Sequence, residues 1–155
     1  MSRPASKTDS RAVKAWLSVV RAYHLCDALM ARRLAELGVR TAEHEVLANL
    51  LREPGISQQT LAARCFSAKS HISGLVSALE QRGLARREPD PADARAKCLH
   101  LTPEGEALAR RTGAVQAEVV RLMTQEFSAA ELAQVEQVMG RLGGLLEEAL
   151  AAPPG

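Results

Sequence analysis

The run Lys69-Ser70-His71-Ile72-Ser73-Gly74-Leu75-Val76-Ser77-Ala78-Leu79-Glu80-Gln81-Arg82-Gly83 leads directly into Leu84-Ala85-Arg86-Arg87, an acidic, proline-bearing loop Glu88-Pro89-Asp90-Pro91-Ala92-Asp93, and Lys97-Cys98-Leu99-His100-Leu101. In the first run Ile72, Leu75, Val76 and Leu79 recur at helical spacing and form one apolar stripe, which Gly83 ends. The two short segments after it alternate polar and apolar residues, the pattern of strands with one buried face. The prolines and acidic residues between them predict a tight loop, so the pair reads as a small β-hairpin.

Upstream, Ser57 is placed to cap a short helix carrying Leu61 and Ala62, with a polar break around Ser67 before the long run begins. Thr41 is expected to cap another helix, with Glu43 and Glu45 in its positive first turn. That helix buries Val46, Leu47, Leu50 and Leu51 and stops before Pro54-Gly55. From Ala12 to about Leu37, the residues Trp16, Val20, Tyr23, Met30, Leu34 and Leu37 predict a long first helix, closed at Gly38. Downstream, Thr102-Pro103 reads as an N-cap followed by proline at the first helical position, opening a helix through Leu108, Val115, Val119, Leu122 and Met123. Ser128-Ala129-Ala130-Glu131 is a capping box for a last helix with Val135, Val138, Met139, Leu142, Leu145 and Leu146 on its stripe.

A short helix, a turn, an amphipathic helix and a charged hairpin is the order of a winged helix-turn-helix. The fold class expected is therefore mainly α: a winged helix-turn-helix with a β-hairpin wing, plus N- and C-terminal helices forming a dimerisation region. Residues 1–10 read as a disordered arm and 11–150 as a single fold. Within it the winged lobe spans about 41–101, and the dimerisation helices about 11–37 and 103–150.

The chain has 155 residues, 46% of them hydrophobic and 25% charged, with a formal net charge of +2. These values suit a folded domain, and no stretch approaches the roughly 18 apolar residues of a membrane span. The opening Met1–Lys7 lacks the apolar core of a secretory signal, so a cytoplasmic protein with no membrane partner is expected. Cys26, Cys65 and Cys98 are odd in number and form no CxxC pair, which argues against a disulfide framework. The small net charge means that any basic footprint must be local.

The outward face of the helix that Gly83 ends carries Lys69, Ser70, His71 and Ser73, small polar or basic groups of the kind that enter a major groove, with Ser67 just before them. Gly74 removes bulk on the same face. Taken alone this is also an ordinary solvated helix surface. The hairpin distinguishes the two: Asp93-Ala94-Arg95-Ala96-Lys97-Cys98-Leu99-His100-Leu101-Thr102-Pro103-Glu104-Gly105 resembles the D-x-R and L-x-L-T-x-x-G wing signature of the MarR family of bacterial transcription regulators. Leu75–Leu84 is similar to the end of that family's recognition helix, and Lys69-Ser70-His71-Ile72-Ser73-Gly74-Leu75 to a K-G-N-V-S-G-L type run. The resemblance covers about Ala12 to Leu150 by element order and is specific over about Ser57–Gly105.

The resemblance implies a sequence-specific DNA-binding regulator, a dimeric repressor on a pseudo-palindromic duplex. Arg95 would enter the minor groove, Asp93 would orient it or pair with Arg87, and Arg86 and Lys97 would meet phosphates. The chain departs from the family in carrying Ala94 where many members have arginine and Gly74 where some do. It also implies a homodimer interlocked through the first, fifth and sixth helices, with half-sites about 34–36 Å apart. A small, often aromatic, anion would release the DNA; Trp16, Arg21, Tyr23 and His24 are candidates to line its cleft, although Trp16 and Tyr23 each also fit a plain core role.

Two alternatives stand beside that reading: a thiol-redox-responsive regulator using Cys26, Cys65 or Cys98, and a winged-helix protein-interaction module. Inert thiols are the expectation for all three cysteines. No nucleophile–base pairing, phosphate loop or HExxH motif points to an enzyme. Neither Cys98-Leu99-His100 nor His24-x-Cys26 reaches four-ligand spacing, so no metal or cofactor is expected.

Overall fold

Helix α1 (Lys7–Ala35) is long because no proline or glycine interrupts the chain from Lys7 to Leu37. In this computed structural model residues 7–90 and 97–152 are described; Asp93 and Arg95 lie outside the described residues. The helix thus begins inside the segment read as an arm. It ends two residues before Leu37, with Gly38 and Val39 closing the turn onto the carbonyls of Ala35 and Leu34.

Helix α2 (Thr41–Arg52) follows after one extended residue, Arg40. Thr41 is therefore the first helical residue and not the cap. The backbone N–H of Arg40 donates to Glu43 Oε2 at 2.8 Å, so the side chain three residues into the helix reaches back to fix its start. Strand β1 (Ile56–Ser57) comes next, then α3 (Gln58–Arg64), whose N-cap is Ser57: its Oγ accepts from the Thr60 N–H at 3.0 Å. Helix α4 (Lys69–Gln81) buries Ile72, Leu75, Val76 and Leu79, as the periodicity predicts.

Gly83 then adopts φ +70°, a left-handed conformation that turns the chain from α4 into the sheet. Strands β2 (Ala85–Pro89) and β3 (Lys97–Leu101) pair antiparallel, with Arg87 opposite Leu99. β1 adds to the other side of β3, placing Ile56 opposite Leu99 and giving a three-stranded sheet in the order β1-β3-β2. The sequence predicted only the hairpin, because two residues are too few to show alternation.

Helix α5 (Pro103–Thr124) starts where Thr102 Oγ1 accepts from the Gly105 N–H at 3.0 Å and donates to the Gly83 carbonyl at 2.7 Å. Helix α6 (Ala129–Ala151) opens with the Ser128–Glu131 capping box. The chain divides into two compact units, with the boundary between Val119 and Val120. The first holds one continuous core. Leu34, Leu47, Leu50, Leu61, Ile72, Leu79 and Leu99 are fully buried there and tie α1, α2, α3, α4 and the sheet together. The second contains α6, none of whose residues is buried within the chain.

Glu43 is charged yet only 4% exposed, and it links two elements of the lobe. Burial raises its pKa, but the Arg40 N–H and the guanidinium groups of Arg40 and Arg82 outweigh that and hold the carboxyl below the usual range. Arg82 also donates to the Gly38 carbonyl at 3.2 Å, so the end of α4 is clamped to the start of α2. His44 is equally buried. Its Nε2 lies 3.2 Å from Gln116 Oε1 on α5, while Nδ1 has no hydrogen-bond partner among the described residues.

Candidate nucleic-acid interface

The face of α4 opposite its apolar stripe presents Lys69, Ser70, His71 and Gly74 to solvent, with Ser73 half-buried beside them. Lys69, Ser70 and His71 occupy the first turn. That turn has no acidic residue, and the N-cap position, Ala68, offers no side-chain hydrogen bond. The first N–H groups of α4 and three polar side chains therefore point outward together, held in place by the buried stripe on the other side. Such an end carries partial positive charge suited to phosphate oxygens. Ser67 is half-buried in the turn before it, its N–H bound to the Ala62 carbonyl.

The two adjacent strand arginines separate because successive residues of a strand point to opposite faces. Arg87 faces α4: it pairs with Glu80, and its Nη2 donates to the Ser73 carbonyl at 3.0 Å and to Ser77 Oγ at 3.2 Å. Arg86 lies on the other face, paired with Glu88 at 3.2 Å, and His100 Nε2 is 3.4 Å from the same carboxylate. Arg86 and His100 border a cavity of about 430 Å³ together with Leu50, Pro54 and Arg110. The sequence reading grouped the arginines as phosphate or Asp93 partners and missed Glu80. The available signal was the pair's position, seven residues apart across the Gly83 turn, which brings them side by side. Lys97 is exposed at the start of β3.

Phe66 was also missed. It is 92% exposed between α3 and α4 with φ +46°, where glycine is the usual occupant. The turn needs a left-handed residue to close the Phe66 N–H onto the Ala63 carbonyl and the Ser67 N–H onto that of Ala62. That demand is set by the backbone and leaves no mark on the side-chain pattern.

The ligand candidates Trp16, Arg21, Tyr23 and His24 are exposed on α1 and do not line the cavity. Trp16 is 61% and Tyr23 66% exposed, which rules out the plain core role within this chain. The Tyr23 and His24 rings meet edge to face at 5.5 Å. Cys98 is buried in β3, and burial followed by its bond to Asp90 raises its pKa; burial and the Glu45 charge raise that of Cys65. Both shifts favour the neutral thiol over the reactive thiolate. Cys26 is half-buried on α1. Among the described residues, no helix is long and apolar enough to cross a membrane.

A helix pair with an exposed polar second helix, followed by a β-hairpin that joins β1 in a three-stranded antiparallel sheet, defines a winged helix-turn-helix. A model of the MarR family matches residues 37–96. Over 111 residues the chain is 39% identical to the "Putative transcriptional regulatory protein for hcr operon" of Thauera aromatica, covering 71% of this chain and 62% of that relative's length. AbsC, a MarR family transcriptional regulator from Streptomyces coelicolor, has the same fold at a TM-score of 0.81 with 23% identity, over 95% of this chain and 99% of that one. CouR from Rhodococcus jostii RHA1, solved bound to p-coumaroyl-CoA, superposes at a TM-score of 0.76 with 26% identity, over 88% of this chain and 95% of its own. The family match and these structural neighbours support assignment to the MarR family. The Thauera aromatica and Streptomyces coelicolor relatives are named as transcriptional regulators and not as enzymes.

Proposed function

We propose that the protein is a sequence-specific DNA-binding transcriptional regulator, a homodimeric repressor on a pseudo-palindromic operator. The observation that carries this is the outward turn Lys69-Ser70-His71 at the start of α4, braced by a fully buried opposite face. In this reading α4 enters the major groove, with Lys69 on a phosphate, Ser70, His71 and Ser73 toward base edges and Ser67 near the backbone. Arg95 enters the adjacent minor groove, assisted by Asp93, and Lys97 meets phosphate. With a formal net charge of only +2, one chain has little long-range attraction for DNA, so two lobes act together.

Exposed apolar side chains support the dimer. On α6, Val135, Val138, Leu142 and Leu145 recur at helical spacing and are exposed in the single chain; on α1, Val13, Trp16 and Leu17 are exposed too. A second copy covers such stripes most simply. The effector is a small aromatic acid or its conjugate, received near Trp16, Arg21, Tyr23 and His24; the p-coumaroyl-CoA bound by CouR supports that class. The raised pKa values of Cys65 and Cys98 favour a ligand over thiol oxidation as the switch.

The test is selection of duplexes from a random pool, followed by gel-shift titration. The wild-type chain is expected to enrich an inverted repeat with half-site centres about one helical turn apart. Arg95→Ala should lose most of the binding to it, and Lys69→Ala should lower the salt slope by about 0.9 per site. Failure to enrich any duplex refutes the reading.

A further inference from the structure

One side chain joins the wing to the recognition helix. Arg87 sits at the middle of β2 on the face toward α4, its side chain 22% exposed. Glu80, near the end of α4, receives both parts of this residue: Oε1 accepts from the Arg87 backbone N–H at 2.9 Å, and Oε2 pairs with Nη1. The other terminal nitrogen reaches the Ser73 carbonyl and the Ser77 hydroxyl. The planar guanidinium therefore spans α4 from Ser73, next to the outward turn, to Glu80 near its other end.

Resting on the regulator reading above, we infer that Arg87 is a positioning residue for DNA recognition: it locks the wing to α4 and does not itself contact phosphate. Its donors are directed at partners within the chain, and the Glu80 carboxylate neutralises its charge. A fork of fixed geometry suits this work, because it holds strand and helix at one spacing and orientation. α4 and the wing must reach neighbouring grooves of one duplex. A joint formed beforehand removes the ordering cost that a loose wing would carry on binding.

The test uses full-length Arg87→Gln, Glu80→Gln and Arg87→Lys. The DNAs are a duplex selected by the wild-type chain and a scrambled one, titrated by fluorescence anisotropy across a KCl series. Amide hydrogen exchange of residues 85–88 is measured alongside. For a positioning residue, Arg87→Gln and Glu80→Gln each weaken binding to the selected duplex about tenfold or more, comparable with losing one base contact. Binding to the scrambled duplex stays within about twofold, the salt slope is unchanged, and the 85–88 amides exchange faster. Arg87→Lys keeps the charge but not the fork, so it still loses selected-duplex affinity while remaining folded by circular dichroism. A phosphate contact predicts the reverse: Arg87→Gln lowers the slope by about 0.9 on both DNAs, and Glu80→Gln, which frees the guanidinium charge, tightens both. That result, or unchanged affinity and exchange in both glutamine variants, overturns the proposal. If the wild-type chain selects no duplex, the regulator reading fails instead; unchanged exchange at 85–88 would then still refute the joint, and faster exchange would still support it.

Discussion

Replacing Gly105 with alanine tests how α5 is seated on the winged lobe. A Cβ built on Gly105 would lie 1.8 Å from the Leu84 carbonyl oxygen and 2.8 Å from its carbonyl carbon, so the start of α5 would have to shift by more than an ångström. Both atoms are backbone and cannot swing aside. The shift strains the three bonds that fix this corner: Thr102 N–H to the Leu84 carbonyl at 3.1 Å, Thr102 Oγ1 to the Gly83 carbonyl at 2.7 Å, and the Gly105 N–H to Thr102 Oγ1 at 3.0 Å. Overpacking costs about 1–3 kcal/mol, and each compromised hydrogen bond adds about 1 kcal/mol. Alanine's better helix propensity returns about 1 kcal/mol. The net loss is about 3–5 kcal/mol on these terms. Urea denaturation followed by circular dichroism measures it, with Gly74→Ala as control. Gly74 lies in α4 with nothing within 4 Å of its would-be Cβ, so alanine there should stabilise by up to about 1 kcal/mol. Equal stabilities for the two variants would refute the close-approach argument.

Phe66→Gly should raise the unfolding free energy by about 1 kcal/mol, since glycine relieves the left-handed strain and the 92% exposed ring loses little packing; a destabilised variant in the same denaturation assay contradicts this. Glu43→Gln should cost about 1–3 kcal/mol by leaving a weaker acceptor for the Arg40 N–H and Arg82. Because the folded-state pKa of Glu43 is lowered, its contribution is present above the ordinary carboxylate value and is lost as pH falls through the folded one; acid denaturation of Glu43→Gln should lack that part of the loss. His44, whose burial lowers its pKa, adds a second acid-sensitive window just below the ordinary histidine value, where the unfolded chain takes up the proton first. His44→Gln should flatten melting temperature against pH between about 5 and 7, and an unchanged slope would count against the buried neutral imidazole. Val138→Asp with Leu145→Asp should convert a two-chain species to a single chain in sedimentation velocity, because both side chains are exposed in the single chain; an unchanged mass would remove α6 from the dimer model.

Most of the helical frame was legible in advance. Ile72, Leu75, Val76 and Leu79 fall on one face by arithmetic alone, and Ser57, Thr102 and Ser128 cap the helices they were expected to cap. Each of those signals is local: a side chain and the backbone group it serves lie within four residues. The one-residue error at Thr41 shows the limit of such signals, because the Arg40 backbone and Glu43 together set that boundary. The polar turn Lys69-Ser70-His71 could be listed from sequence, but its shared outward direction required the buried stripe beneath it.

Reading outward from the α4–hairpin run, the order of elements and the apolar stripes follow from residue type and spacing, because helix and strand periodicity are properties of the local chain. The partners across that order do not. β1 exists only through its pairing with β3, Gly105 is needed only because Leu84 lies against it, and Arg86 and Arg87, already on opposite faces of β2, gain different partners only once a helix covers one side. Those facts depend on segments distant in sequence meeting at a fixed separation. The resemblance put Arg86 on phosphate and offered Asp93 as a partner for Arg87; packing instead joins Arg87 to Glu80, Ser73 and Ser77 on α4.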